Sequence, residues 1–129
     1  MGIRTTLEQN YDYDIVDEFL DHFDVMTEVM EPAIISLENP KVREEKINEL
    51  FRIFHNIKSA SGFLKLERIH LLAELAEEVM EKLRSGEREV TPEIVDWLLL
   101  VNDQLRTWYR QIADDEALGD TDVRILQLP

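Results

Sequence analysis

His55–Leu66 reads HNIKSASGFLKL, and its apolar residues keep the three- and four-residue spacing of an amphipathic helix. The same twelve residues crowd Ser59, Ala60, Ser61 and Gly62 together just after a His and a Lys. Gly costs about 1 kcal/mol relative to Ala inside a helix, and Ser is also a weaker helix former. Such a run marks either a fraying helix end or a surface cleared for a close approach. The apolar pattern continues through Phe63 and Leu64, beyond the small residues, which favours clearance.

Outward from this stretch the chain repeats the helical pattern. From about Tyr13, the residues Val16, Phe19, Phe23, Met26, Met30, Ile34 and Leu37 recur at threes and fours. Pro32 lies inside this run and removes a hydrogen bond to the Glu28 carbonyl, which predicts a kink or a break into two pieces. After a turn at ENPK (38–41), Ile47, Leu50, Phe51, Phe54, Ile57 and Ser61 form a second stripe. Ile69, Leu72, Ala73, Ala76, Val79, Met80 and Leu83 form a third, which RSGE (84–87) ends with Gly86 as a left-handed stop. Thr91 as N-cap, Pro92 at the first helical position and Glu93 in the first turn then open a fourth. That segment carries Ile94, Trp97, Leu98, Val101, Leu105, Trp108 and Ile112.

Four helices on short connections predict an all-α, antiparallel up-and-down four-helix bundle over residues 13–113. Residues 1–12 lack a pattern and read as a flexible arm. Residues 114–129 lose the helical pattern and read as a tail or the start of a linker. Their apolar Val123, Ile125, Leu126 and Leu128 suggest packing across one end of the bundle, or a chain cut from a longer protein.

Composition narrows the function. A chain of 129 residues suits one domain with an ordinary core. With 14 Lys and Arg against 28 Asp and Glu, the net charge of −14 repels phosphate polymers. Neither nucleic acid nor an anionic membrane is an expected partner. No stretch approaches the roughly 18 apolar residues that span a bilayer. The absence of Cys excludes disulfides and thiolate chemistry and favours a cytoplasmic setting.

At about 100° per residue, the second helix centres its apolar face near Phe54 and Ser61, and His55 falls on the flank. Arg52, Ser59 and Gly62 share that side, where they clear or line a docking surface, and Lys58 sets an ammonium one turn on. On the third helix Glu77 flanks the apolar centre at Ala76. The turn between the two helices falls near Leu64–Lys65. At a rise of about 1.5 Å per residue, His55 and Glu77 come level across an antiparallel pair. A carboxylate that accepts Nδ1–H fixes the tautomer and leaves Nε2 with a free lone pair, which prepares an imidazole as a nucleophile. No Ser or Cys nucleophile, Gly-rich phosphate loop or metal cluster accompanies it. Capture of a phosphoryl group at His55 Nε2 fits this setting, with Lys58 offsetting the charge of the phosphoryl oxygens.

The run HNIKSASGFLKLERIHLLAELAEEVMEKLRSGE (55–87) resembles the histidine phosphotransfer domain, most closely the one that opens CheA-type chemotaxis histidine kinases. His55, Ile57, Lys58, Ala60 and Gly62 carry the motif, and RSGE stands at the family's third-helix stop. The resemblance covers roughly residues 13–112. It implies a four-helix bundle in which His55 is the phosphoacceptor, Lys58 its helper and Glu77 the residue that orients Nδ1. It further implies two partners, a histidine kinase catalytic domain and a response-regulator receiver domain with an acceptor Asp. ATP and Mg²⁺ belong to those partners, and no cofactor is expected here. Two positions depart from the pattern: Glu74 replaces a common His, and Lys65 stands where a second Gly is common. The kinase family's ATP-binding and dimerisation domains are absent, so no kinase activity is expected of this chain alone.

Plainer readings compete. A lone His on a helix flank is usually a surface residue, a lone Lys is usually solvated, and Glu77 sits among Glu74, Glu78 and Glu81. His22 and His70 read as ordinary surface residues, and Trp97, Trp108 and the Met residues as core. Glu67 and His70 form the Glu-x-x-His pair of di-metal bundles, but the second pair and the two further inward Glu residues are missing, so no metal site is expected. The alternative function is a helical module that docks a receiver or kinase without carrying phosphate.

Overall fold

The computed structural model describes residues 2–128, and among them it is all-helical. The elements are α1 (Ile3–Asn10), α2 (Tyr13–Ser36), α3 (Arg43–Phe63), α4 (Glu67–Arg84), α5 (Pro92–Ala113) and a short 3₁₀ turn (Val123–Leu126). α2 packs on α3 and α5, and α4 closes the ring against the same two helices. Phe23, Met30, Phe54, Ile57, Met80, Leu98 and Trp108 fill the enclosed centre. No helix among the described residues is long and apolar enough to cross a membrane.

α3 and α4 run antiparallel. Lys58 meets His70, His55 meets Glu77 and Phe51 meets Arg84, so numbers fall on one helix as they rise on the other. The hinge between them is a Schellman motif, in which Leu66 N–H donates to Ser61 O at 2.9 Å and Lys65 N–H to Gly62 O at 3.1 Å. It holds Lys65 in the left-handed region at φ 58°, where the missing Gly would carry no steric cost. α4 stops at Gly86, φ 82°. α5 starts as its sequence predicts, with Thr91 Oγ1 accepting from Ile94 N–H at 3.2 Å and Pro92 in the first turn.

Three expectations change. α2 is one helix through Pro32 rather than two pieces, because the proline stands only one turn before its end at Ser36. The Pro32 carbonyl itself accepts from Ser36 Oγ at 2.8 Å in the last turn. The pattern-poor start is not an arm but α1, capped from the far end of the chain. Thr5 N–H donates to Asp115 Oδ1 at 2.9 Å, Ile3 N–H to Glu116 O at 2.9 Å, and Leu7 is buried.

The tail runs back along α5 rather than across one end of the bundle. Trp108 Nε1–H donates to Gly119 O at 3.0 Å, Asp122 N–H to Gln104 Oε1 at 2.7 Å, and Trp97 Nε1–H to Ile125 O at 2.9 Å. A buried indole N–H needs an acceptor, and the tail supplies one at each end of α5.

Candidate functional site

His55 follows buried Phe54 on α3, which leaves its imidazole on the flank with 55% of the side chain exposed. Glu77 follows buried Ala76 on α4 in the same way, but faces α3 and keeps only 15% exposed. His55 Nδ1 lies 2.7 Å from Glu77 Oε2, and Lys58 Nζ lies 2.8 Å from Oε1 of the same carboxylate. The three residues expected from the sequence therefore meet. The arrangement differs in one respect: the Lys58 ammonium is on Glu77 rather than beside the imidazole alone.

Partial burial pushes the Glu77 carboxyl up, but hydrogen bonds from Lys58 and His55 outweigh it and hold the group below the usual carboxylate range. The hydrogen bond to Glu77 raises the Lys58 ammonium above the ordinary lysine value. An ionised carboxylate only accepts, so Nδ1 carries a proton toward it, and in the neutral ring Nε2 is then the nitrogen with the lone pair. The arrangement orients the imidazole through Nδ1 and, in its neutral form, selects the Nδ1–H tautomer.

The small residues divide by task. Ser61 is buried and donates Oγ–H to Ile57 O at 2.6 Å. Ser59 is exposed and, with Asn56 and Ala60, borders an open groove between α2 and α3 floored by Phe19, Met26 and Leu64. Arg52 is exposed on the same side as His55, with no ion-pair partner among the described residues. Gly62 is exposed, but a Cβ there would meet His70 Nδ1 at 3.0 Å. Its clearance admits α4's own side chain. His70 is correspondingly no ordinary surface residue: it is half-buried, with Nδ1 2.9 Å from Lys58 O, where it donates to that carbonyl. His22 is exposed beside the groove, and Trp97 and Trp108 are core.

Two contacts escaped the sequence. The Phe51 ring is parallel to the His55 imidazole within 9°, with centroids 6.4 Å apart, and the Arg84 guanidinium sits 4.1 Å from the centre of the Phe51 ring. The four-residue spacing of Phe51 and His55 was a signal that could have found the first. Nothing local announces Arg84. Among the described residues, no group of three or more His, Asp or Glu side chains is arranged to hold a metal ion.

A bundle helix that presents one oriented histidine beside a Lys is the frame of a phosphotransfer module, and comparison with known proteins agrees. The family model of the Hpt domain matches residues 14–115. The chain belongs to the Hpt domain family, which makes it a phosphotransfer carrier of two-component signalling. It is 32% identical over 101 residues to the sensor histidine kinase CheAY of Helicobacter pylori, covering 78% of this chain and 13% of that protein. It is 30% identical over 90 residues to the chemotaxis protein CheA of Halobacterium salinarum, covering 70% of this chain and 13% of that one. Against the CheA of Borreliella burgdorferi the identity is 25% over 93 residues, covering 72% of this chain and 11% of that protein. The chain thus spans a small fraction of the relatives' length. No solved structure matches it.

Proposed function

We propose that His55 Nε2 accepts a phosphoryl group from the ATP-loaded catalytic domain of a histidine kinase and passes it to an Asp of a receiver domain. One observation carries this reading: the half-exposed imidazole has its Nδ1 held by an ionised carboxylate at 2.7 Å, which leaves Nε2 as the nucleophile. In the first step the Nε2 lone pair attacks the γ-phosphorus, the N–P bond forms, and the P–O bond to ADP breaks. In the second, an Asp oxygen attacks the same phosphorus, the N–P bond breaks, and its electron pair returns to Nε2. The bundle contributes positioning, and Glu77 steadies the imidazolium character of the phosphorylated ring. ATP and Mg²⁺ come with the partners in this reading, and dependence on an ATP-loaded kinase supports a cytoplasmic setting.

The groove beside Ser59 supports docking of the receiver there. Its floor is apolar, and Glu18 of α2 lines its edge. A receiver helix with an apolar stripe and a basic rim complements it. Lys58 bonds Glu77 before transfer and, one turn from His55 on α3, offsets the charge of the phosphoryl oxygens after it.

Incubation with a CheA-type kinase core and ATP tests the reading, alongside His55→Gln. Wild type is expected to gain one phosphoryl mass and an acid-labile, base-stable ³²P label that the variant lacks. If the wild type takes no label from the kinase or from a phosphorylated receiver, the module docks without carrying phosphate.

A further inference from the structure

We propose that Phe51, held by Arg84, is a positioning residue that sets the plane in which His55 presents Nε2. This rests on His55 being the phosphoacceptor. The bond from Nδ1 to Glu77 Oε2 fixes one point of the imidazole and its tautomer. It does not fix the ring's tilt, because a ring can swing about the line of a single hydrogen bond and the χ2 torsion of His is broad. An in-line attack needs the lone pair aimed, so a second restraint is required.

Phe51 supplies it. It lies one helical turn before His55 on α3, and its ring is parallel to the imidazole within 9° at 6.4 Å between centroids, in the offset range that aromatic pairs adopt. A hydrogen bond defines a line and a ring face defines a plane. Together they narrow the directions open to Nε2. The neighbours of Phe51 at Leu50 and Phe54 are fully enclosed, whereas Phe51 is only half-buried and borders the exposed histidine.

Arg84 steadies Phe51 in turn. Its guanidinium stands 4.1 Å from the ring centre and pairs with Glu81 across one turn of α4. Arg84 is two turns beyond Glu77 on the same helix, so α4 acts on the imidazole twice, at Nδ1 through Glu77 and, through Arg84, on the Phe51 ring parallel to it.

The test uses phosphoramidate, a small donor that needs no docking surface. The Nε2 lone pair attacks phosphorus, the donor's P–N bond breaks, and ammonia leaves with its three hydrogens while Nδ1–H stays on Glu77. Phe51→Leu is expected to slow labelling of His55 by about three- to tenfold, and Phe51→Tyr to restore it. Arg84→Met, which leaves the core untouched, is expected to slow it less. NMR of the His55 ring protons is expected to show a changed ring-current shift in Phe51→Leu, near wild type in Phe51→Tyr. With a kinase core, kcat should fall and KM stay constant. Wild-type rates in both Phe51→Leu and Arg84→Met would overturn the inference alone. Failure of wild-type His55 to take the phosphoryl group would overturn the carrier reading, and this inference with it.

Discussion

Lys58 and Glu77 are joined across the α3–α4 interface by an ion pair of 2.8 Å. The carboxylate thereby receives donors on both oxygens, one from Lys58 and one from the histidine. The pair keeps Glu77 ionised as an acceptor, and with it the Nδ1–H tautomer of His55. Lys58 thus bears on the imidazole indirectly, through the carboxylate the two share.

Removing that acceptor should slow chemistry more than it weakens the fold. A hydrogen bond to a charged group contributes about 1.5 kcal/mol or more, which corresponds to roughly tenfold in rate if it is felt in the transition state. Glu77→Ala is expected to lower phosphoryl uptake from phosphoramidate by about that factor, with Nε2–H and Nδ1–H tautomers mixed in the ¹⁵N spectrum. A single Nδ1–H tautomer in the variant would show that Glu77 does not set it.

The same pair predicts how stability depends on pH. Glu77 titrates below its unfolded value of about 4.3. Its contribution is therefore present above that value and lost as pH falls through the lower, folded one. Lys58 is raised, so its contribution is present below the unfolded lysine value and lost as pH rises through the folded one. The difference in Tm between wild type and Glu77→Gln is expected to be level near neutrality and to shrink on acidification below about pH 4. An equal difference at pH 3 and pH 7 would contradict this.

Gly62 and His70 should prove coupled. Ala in place of a helical Gly gains about 1 kcal/mol, but here the new Cβ crowds His70 at 3.0 Å and threatens its bond to Lys58 O. In wild type the two effects of Gly62→Ala are expected to cancel roughly or to destabilise. In a His70→Ala background only the gain of about 1 kcal/mol remains. Urea melts of the four proteins check this, and equal effects of Gly62→Ala in both backgrounds would disprove the coupling.

Lys65 and Asp115 share a left-handed backbone, at φ 58° and 54°, yet glycine should act on them in opposite directions. Lys65→Gly relieves strain and is expected to stabilise by about 1 kcal/mol. Asp115→Gly relieves the same strain but strips α1 of the carboxylate that caps Thr5, whose hydrogen bonds hold that carboxyl below its ordinary range. Losing a cap costs about 1 kcal/mol, often more, so a net loss is expected. Urea midpoints moving in the same direction would refute the assignment.

The sequence by itself determined the four long helices, the Gly86 stop, the Thr91–Pro92 start and the meeting of His55 with Glu77. Each follows from a short-range rule: helical periodicity, cap chemistry, or a constant rise counted from one hinge. Tertiary structure alone decided α1, the course of the tail, the destination of Gly62's free space and the seat of Arg84 on the Phe51 ring. α1 has one buried leucine and no cap of its own, and its cap stands 110 residues away at Asp115. The tail has no helical period because its polar backbone answers the indoles and amides of α5 instead of itself. Gly62 reads the same whether it faces a partner or α4, because the sequence gives helical phase but not which side chain of the next helix enters the gap. Contacts between residues far apart in the chain depend on how whole helices pack, and no local spacing encodes that.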